Sequence, residues 1–468
     1  MLKVFAHHIQ LSTIAELLAD VLLCFFAALL VSHGLDGGQS TGTARLTASL
    51  LMPAITFSLG MSLLYSFFGL YRRGAVRVSL GAMLARALLA VAMGSFVAYL
   101  AVRPAVSSGR LEQGLLQPLL LLAIGAVAVR SLVFLARRAS VGARRVLIVG
   151  TGPDAQSVAN DLRASGSTQT TIVGFYPTAV GATSPADALG LNVLPTDLGV
   201  DATARKLKVH EVIVAVREQR GGSVPMDQLL ACRLRGLPVL DLAAFYERSR
   251  GEVPTDSLKA SWLVYGHGFV QGTLRRTSKR VLDIVASSVL LALASPIMLL
   301  TAIAIRLESR GPVIYRQERV GLGGRGFMCL KFRSMRTDAE KDGVARWATK
   351  NDSRVTRVGA YIRKTRIDEL PQLLSVLKGE MSMVGPRPER PSFVAQLKEQ
   401  IPFYELRHSV KPGVTGWAQV RYSYGASVED ARKKHQFDLY YVKNNSLFLD
   451  LLVLIETVSV VLFREGAH

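Results

Sequence analysis

Four long apolar runs precede Arg144, and they restrict what this chain can fold into more than any other feature. They cover Thr13–Val31, Leu46–Leu70, Leu80–Val102 and Leu111–Val129. Each is near the roughly 20 residues a helix needs to cross a bilayer. Four in succession argue for an N-terminal transmembrane four-helix bundle over residues 1–140 rather than for buried helices of a soluble core. Arg72, Arg73 and Arg77 lie between the second and third runs, and Arg137, Arg138, Arg144 and Arg145 follow the fourth. The loop between the first two offers only Arg45 against Asp36. The positive-inside bias then places the N-terminus and everything after Arg137 in the cytoplasm, although Arg103 and Arg110 after the third run blur the asymmetry. No small-residue cleavage site follows the first run, which reads as an anchor rather than a signal peptide.

The formal charge is +21 and the pI about 10.2, so the partner is anionic. With these apolar runs, lipid and a phosphorylated substrate fit that charge and nucleic acid does not. Cys24, Cys232 and Cys329 form neither a metal-type spacing nor a disulfide framework, as suits a cytoplasmic setting.

Residues 141–250 alternate short β-rich runs with helical patterns: Arg145–Gly150, Thr171–Tyr176, Glu211–Val216 and Pro238–Leu242. This predicts a small Rossmann-like α/β domain. Its Gly150-Thr151-Gly152-Pro153 turn resembles a phosphate loop. Yet Ala155 stands at the third glycine of the dinucleotide fingerprint, and no acid follows where a ribose would be held. A structural, sensing or homodimer-forming role fits better than redox chemistry. Residues 251–278, with Gly251 and Pro254, read as a linker.

A fifth apolar stretch, Val281–Leu307, is interrupted by Ser295-Pro296. Its length suits a span, but both flanks are basic: Arg275, Arg276, Lys279 and Arg280 before, Arg306, Arg310 and Arg316 after. Two basic ends oppose the asymmetry that orients a span. Proline removes one helical hydrogen bond, and a break there would return the chain to the face it entered. The residues themselves leave spanning and re-entrant helices equal.

Downstream, a set of motifs follows in order. They are Gly311-Pro312-Val313-Ile314-Tyr315-Arg316-Gln317-Glu318-Arg319-Val320-Gly321, Leu330-Lys331-Phe332-Arg333-Ser334-Met335, the acid pair Asp368-Glu369, and Gly385-Pro386-Arg387-Pro388. Lys411-Pro412-Gly413-Val414-Thr415-Gly416-Trp417-Ala418-Gln419-Val420 closes the set. Asp368 and Glu369 open an apolar helical run with Pro371 in its first turn, and Arg363, Arg366 and Arg387 surround them in sequence. Carboxylates among fixed cations suit a divalent metal and a phosphate. An aspartate at a helix start is more often only a cap. The ordered combination of motifs is what favours chemistry.

That combination strongly resembles the bacterial polyprenyl-phosphate hexose-1-phosphate transferases, over residues 279–468. The four preceding runs and the Rossmann-like domain resemble the large-architecture members, and Ser423–Asp430 looks like the exopolysaccharide subgroup linked to exosortases. The resemblance implies a monotopic, α-rich catalytic domain on the cytoplasmic face of the inner membrane, with a re-entrant helix over 281–307 turning at Ser295-Pro296. It implies transfer of a hexose 1-phosphate from a UDP-sugar, UDP-glucose or UDP-galactose, to undecaprenyl phosphate, with UMP released. It also implies that Asp368 is the nucleophile and that Glu369 is its partner acid associated with Mg²⁺. Arg363 and Arg387 then match positions that contact phosphate or nucleotide, and Lys331 and Arg333 line the same site. Arg366 has no assigned part.

Other classes fit poorly. A membrane-anchored nucleotide-sugar dehydratase needs Tyr-x-x-x-Lys, which none of the 13 tyrosines provides, and a metal-dependent glycosyltransferase needs Asp-x-Asp, which is missing. A scaffold or nucleotide sensor carrying a dead transferase domain predicts an eroded acid pair, whereas Asp368, Glu369 and their arginines all stand.

Overall fold

The computed structural model describes residues 2–4, 7–9, 11–35, 43–71, 80–102, 108–138, 144–164, 170–178, 193–216, 224–255, 272–337, 339, 354–422, 425 and 427–463. The loops carrying Arg72, Arg73, Arg77 and Arg103, and residues Ser423, Tyr424 and Ala426, lie outside them. The chain divides into two compact units between Phe245 and Tyr246.

Two three-residue strands, β1 (Leu2–Val4) and β2 (His7–Ile9), come before the apolar helices α1 (Leu11–Leu35), α2 (Thr43–Phe67), α3 (Leu80–Val102) and α4 (Ser108–Arg138). α1 packs on α2 and α4, and α3 packs on α2 and α4. Small residues make the close contacts: Ala27, Ala54, Ala87, Ala90 and Ala126 are buried, while Leu18, Phe26, Met52, Phe96, Ile124 and Leu132 face outward. That is the inverse of a soluble helix pair and suits a lipid-facing exterior. Within the described residues, α1 over Ile14–Val31 and α4 over Pro118–Leu135 are long and apolar enough to cross a membrane, whereas the apolar stretches of α2 and α3 are shorter, Leu51–Phe67 and Met83–Tyr99. These helices mark a membrane protein. Inside them, Arg130 Nη2 donates to Asp20 Oδ2 at 2.5 Å, and Tyr71 OH donates to the same oxygen at 2.7 Å. The Arg130 guanidinium lies over the Tyr65 and Tyr71 rings.

The α/β part is a four-stranded parallel sheet in the order β4-β3-β5-β6. Its elements are β3 (Arg144–Val149), α5 (Pro153–Ala164), β4 (Thr170–Tyr176), α6 (Val200–Lys206), β5 (Glu211–Val214), α7 (Met226–Leu234), β6 (Val239–Asp241) and α8 (Leu242–Arg250). All four predicted strands form as short runs of mostly β-branched and apolar residues; the central β3 and β5 are the most deeply buried, while the edge strands β4 and β6 are buried only in part. Gly150 has φ +115°, and a Cβ there would meet the Ala215 carbonyl oxygen at 3.0 Å. The turn therefore needs its first glycine for backbone reasons alone.

The second unit contains α9 (Thr273–Glu308), the hairpin β7 (Ile314–Val320) and β8 (Gly326–Phe332), α10 (Arg357–Lys364), α11 (Gln372–Lys378) and β9 (Ser382–Val384). It continues with α12 (Pro391–Gln400), β10 (Gly413–Thr415), α13 (Trp417–Arg421), α14 (Val428–Asn444) and α15 (Leu447–Phe463). Its core gathers Leu373, Val376, Met381, Val384, Trp417, Phe437, Tyr441, Leu449 and Val453. Residues expected in a linker join that core: Val253 is fully buried, Trp417 Nε1 donates to the Gly251 carbonyl at 2.7 Å, and Lys433 pairs with Glu252. Gly251–Glu252-Val253 thus belongs to the second unit, because a buried indole N–H needs an acceptor and the segment supplies it.

α9 is one helix of 36 residues, with Pro296 inside it rather than at its end. Pro296 cannot donate to the Ala292 carbonyl, and Ser295 Oγ donates there instead at 2.8 Å. α15 is a core helix: Asp450 is fully buried and accepts from Arg275 at 2.8 Å and Lys279 at 3.1 Å, and Glu456 pairs with Arg421.

The Asp20–Arg130 pair generates a test. Arg130→Met leaves Asp20 buried without its cation and should destabilise the protein by about 3–5 kcal/mol, whereas Asp20→Leu with Arg130→Met should recover most of that loss. Thermal unfolding in detergent measures both.

Candidate active site

α10 begins at an N-cap, Thr356, whose hydroxyl accepts from Gly359 N at 2.9 Å. It ends after Lys364, where Arg366 adopts the left-handed conformation (φ 60°, ψ 13°). A non-glycine residue in that region is uncommon and marks local strain. The turn it makes leads directly into a 3₁₀ turn, Ile367–Glu369, that carries the acid pair. The pair was expected to open a helix. It stands one short turn earlier, since Pro371 has no N–H to give and α11 starts only at Gln372.

Asp368 and Glu369 are both buried, 7% and 8% exposed. Two adjacent carboxylates out of water cannot share the same surroundings, and here they do not. Arg387 grips Glu369 with a fork, Nη2 to Oε1 at 2.6 Å and Nη1 to Oε2 at 3.4 Å. Lys331, projecting from β8, reaches Oε1 at 3.1 Å, and Arg366 stands at 3.8 Å. Burial pushes Glu369 upward, but the fields of Arg387, Lys331 and Arg366 outweigh it and hold the group well below the ordinary carboxylate range. Asp368 goes the other way. Burial, helped by the Glu369 charge, raises it above 3.8 against the weaker pull of Lys331, Arg366 and Arg387. Its Oδ1 is buried and finds no hydrogen-bond partner among the described residues. A buried acceptor left open costs about 1–3 kcal/mol, and such a cost persists where a ligand completes the site.

Arg387 lies on the Gly385-Pro386-Arg387-Pro388 turn that follows β9. β9 pairs in parallel with β10, Ser382 opposite Gly413 and Val384 opposite Thr415. The two glycine motifs are one construction. A Cβ on Gly385 would sit 2.3 Å from the Lys411 carbonyl oxygen, one on Gly413 2.1 Å from Gly385 N, and one on Gly416 2.2 Å from the Gly385 oxygen. Only glycine lets these backbones approach so closely.

Two further arginines pin the same turn. Arg407 Nη2 donates to the Arg387 carbonyl at 2.9 Å and to Asp438 Oδ2 at 2.7 Å, and its Nη1 donates to Tyr404 OH. Arg319 Nη1 donates to the next carbonyl, Pro388, at 3.1 Å, and its side chain pairs with Glu389. Neither residue was legible as a site component, since a single basic residue inside a polar run carries no pattern. Arg366 was likewise set aside. Of the sequence-derived residues, the structure brings Lys331, Arg387, Asp368 and Glu369 together. Arg333 is turned away: its guanidinium donates to the Ser309 and Arg310 carbonyls at 2.8 and 3.0 Å. Arg363 is half-buried in the last turn of α10, with no ion pair to the acid pair among the described residues.

From below, α9 holds β9. Asp283 Oδ1 accepts from Ser382 Oγ and Met383 N, both at 2.9 Å, and Lys279 Nζ donates to the Val384 carbonyl at 3.1 Å. Arg280 caps the C-terminus of α11, donating to the Val376 and Leu377 carbonyls at 2.6 Å each.

Such a site can offer one desolvated, unpartnered carboxylate oxygen beside a fixed set of cations. That is what attack on an anionic phosphorus centre requires. No group of three or more His, Cys, Asp or Glu residues suited to a metal occurs among the described residues. Magnesium does not need one, because it is held by one or two carboxylates and completes its shell with water and phosphate. The open Asp368 Oδ1 beside Glu369 fits that donor set.

Because the fold raises Asp368, the stability this group contributes is present at low pH and is lost as pH rises through its folded pKa. Asp368→Asn should therefore raise the melting temperature at pH 7 while lowering any phosphoryl transfer by more than about a thousandfold. In Lys331→Met the acid limb of the residual rate should move to higher pH, since Lys331 pulls Asp368 down. Arg407→Lys, which cannot serve the Arg387 carbonyl, Asp438 and Tyr404 together from a planar guanidinium, should cost on the order of a hundredfold in turnover through misplacement. In an Arg387→Ala background the same change should add little, as expected when one residue acts through the other.

Residues 274–464 match the family model described as bacterial sugar transferase. The chain is 46% identical over 240 residues to a UDP-N-acetylgalactosamine-undecaprenyl-phosphate N-acetylgalactosaminephosphotransferase of Aeromonas hydrophila, covering 51% of this chain and 56% of that protein. It is 36% identical over 341 residues to an undecaprenyl-phosphate glucose phosphotransferase of Komagataeibacter xylinus, covering 69% and 60%. These matches span little more than half of either relative. Against a UDP-glucose:undecaprenyl-phosphate glucose-1-phosphate transferase of Caulobacter vibrioides, identity is 46% over 192 residues, 41% of this chain and 72% of the relative. The matched region contains the acid pair, its cations and the glycine turns that hold them, and the chain belongs to the bacterial sugar transferase family.

Proposed function

We propose that this chain transfers a sugar 1-phosphate from a UDP-sugar to undecaprenyl phosphate through a covalent intermediate on Asp368. The observation that carries this is the buried, unpartnered Asp368 Oδ1 next to a Glu369 that has absorbed the local cations. In the first step a carboxylate oxygen of Asp368 attacks the phosphorus that bears the sugar. The new P–O bond forms as the bond to the bridging oxygen breaks, and UMP leaves with that oxygen. In the second step a phosphate oxygen of undecaprenyl phosphate attacks the same phosphorus. The acyl-phosphate P–O bond breaks, the Asp368 carboxylate returns, and the lipid carries a diphosphate-linked sugar. Division into two steps lets a soluble donor and a membrane-bound acceptor use the site in turn.

Lys331, Arg366 and Arg387 reduce the repulsion between carboxylate and phosphate, and Arg407 and Arg319 keep the Arg387 turn in place. Magnesium held by Asp368 and Glu369 would supply further neutralisation of the phosphate charge. The relatives' names cite glucose and N-acetylgalactosamine, and we carry both to this chain as donor sugars, with galactose beside them. We extend the proposal to a product that opens an exopolysaccharide repeat unit, as the ordered motifs of the sequence suggest.

We further propose that α9 enters the membrane from the cytoplasmic side and returns there. Its first turns are tied to β9 through Lys279 and Asp283, and its last turns pack Ile305 against Phe332 and Ile362 of the same unit. Between these anchors Val289, Leu293, Ile297, Leu299 and Leu300 are exposed and apolar. A straight helix from Asp283 to Ile305 would separate the two anchors by roughly 33 Å. A bend where Pro296 interrupts the hydrogen bonding brings both onto one domain.

Full-length protein in detergent, given UDP-glucose, UDP-galactose and UDP-N-acetylgalactosamine in turn with undecaprenyl phosphate, should release UMP with at least one donor. Chelation of magnesium should stop release, and NAD should not be needed. No release with any donor would refute the assignment. For topology, single cysteines at Arg276 and Arg316, with Cys24, Cys232 and Cys329 replaced, should resist an impermeant thiol reagent outside intact cells and label once the membrane is opened. External labelling at Arg316 alone would make α9 a span.

A further inference from the structure

Beyond Glu308, where α9 ends, the chain opens a cleft of about 690 Å³ that the reaction does not use. Arg310, Arg336 and Arg357 line it together with Thr337, Thr356 and Glu308. All three guanidinium groups are exposed, and none makes a side-chain ion pair or hydrogen bond among the described residues. The one carboxylate among the described lining residues is already committed. Glu308 Oε1 accepts from Arg357 N at 2.7 Å and Val358 N at 3.2 Å, closing the first turn of α10. What remains, among the described residues, is a concave surface with three cations and no anion paired to them.

The cleft is built rather than incidental. Arg333, 6% exposed, spends its guanidinium on its wall, Nη2 to the Ser309 carbonyl and hydroxyl and Nη1 to the Arg310 carbonyl. That fixes the backbone from which Arg310 projects. The cleft also stands apart from the acid pair. α10 runs its eight residues from Arg357 at the cleft to Lys364, a rise of roughly 12 Å, before Arg366 turns the chain to Asp368. A reacting phosphorus must come within about 3–3.5 Å of its nucleophile, so whatever binds here is not the group being transferred.

Apolar surface adjoins it. Leu300, Ile303 and Leu307, on the turns just before the cleft, are 67%, 48% and 82% exposed. With α9 in the hydrocarbon, as proposed above and on which this inference rests, those side chains meet lipid tails and the arginines lie at headgroup depth. Guanidinium forks match phosphate oxygens, and anionic surfaces attract basic residues placed there. A soluble nucleotide explains the arginines but not their apolar border.

We infer that this cleft binds the phosphate of an anionic phospholipid headgroup and so fixes the depth at which the catalytic unit rides on the membrane. Native mass spectrometry of the full-length protein, with phosphatidylglycerol and phosphatidylcholine in competition, should show preferential retention of phosphatidylglycerol. Arg336→Gln with Arg357→Gln should weaken that retention about thirtyfold. The charge-matched control Arg316→Gln with Arg325→Gln, on exposed positions away from the cleft, should not. UMP release in detergent free of phosphatidylglycerol should be equal in both variants and the parent, which certifies folding. Should the cleft pair fail that check, Arg310→Gln alone carries the same expectation with about fivefold weakening. Inorganic phosphate or UMP at matched concentration should not displace the lipid. Equal retention by the parent and a folded cleft variant would overturn the inference, as would displacement by a soluble phosphate. The cysteine labelling of α9 is a separate readout, so a spanning α9 and an idle cleft give different results.

Discussion

The division of charge between two neighbouring carboxylates is what the rest of the catalytic unit serves. Asp368 and Glu369 are buried side by side, and in water-free surroundings two like charges so close would drive one to take a proton. Glu369 escapes because Arg387 and Lys331 contact it directly. Asp368 is left as a raised, unpartnered carboxylate, which has the higher basicity expected of the better nucleophile. A uniform distribution of the same cations would pair both acids and disable the site.

Keeping that asymmetry demands that Arg387 not wander. Its turn is pressed between β9 and the Gly413–Gly416 backbone, held on two successive carbonyls by Arg407 and Arg319, and tied through β9 to Lys279 and Asp283 of α9. α9 and Arg387 are therefore linked through β9, which α9 holds by hydrogen bonds and which runs directly into the Arg387 turn. If α9 seats in the membrane as proposed, a change in its depth would act on β9, the strand that leads into the Arg387 turn, and headgroup contacts near Arg310 and Arg357 would have a physical route to the site.

Much of this was legible in the residues. The apolar runs, the strands of the α/β part, the acid pair, Lys331 and Arg387 were all marked by local pattern or ordered motif. Three features were not. Arg407 and Arg319 act on backbone carbonyls, and a carbonyl has no signature in sequence. Arg333 sits two residues beyond Lys331 in one motif, yet β8 ends at Phe332, so the alternation that would set both side chains on one face no longer applies. Gly251 and Val253 looked like a linker by composition, but a single buried apolar residue and one carbonyl serving Trp417 were enough to draw them into a core.

The account stands or falls on a covalent bond to one oxygen pair. Full-length protein should be mixed with a UDP-sugar labelled in the sugar, without undecaprenyl phosphate, quenched, digested and analysed by mass spectrometry. The account predicts UMP release of about one equivalent per site and a sugar-phosphate adduct on Asp368, discharged when undecaprenyl phosphate is added before the quench. Release of UMP only when the acceptor is present, with no adduct on any peptide, would mean direct transfer between the two substrates and would contradict it.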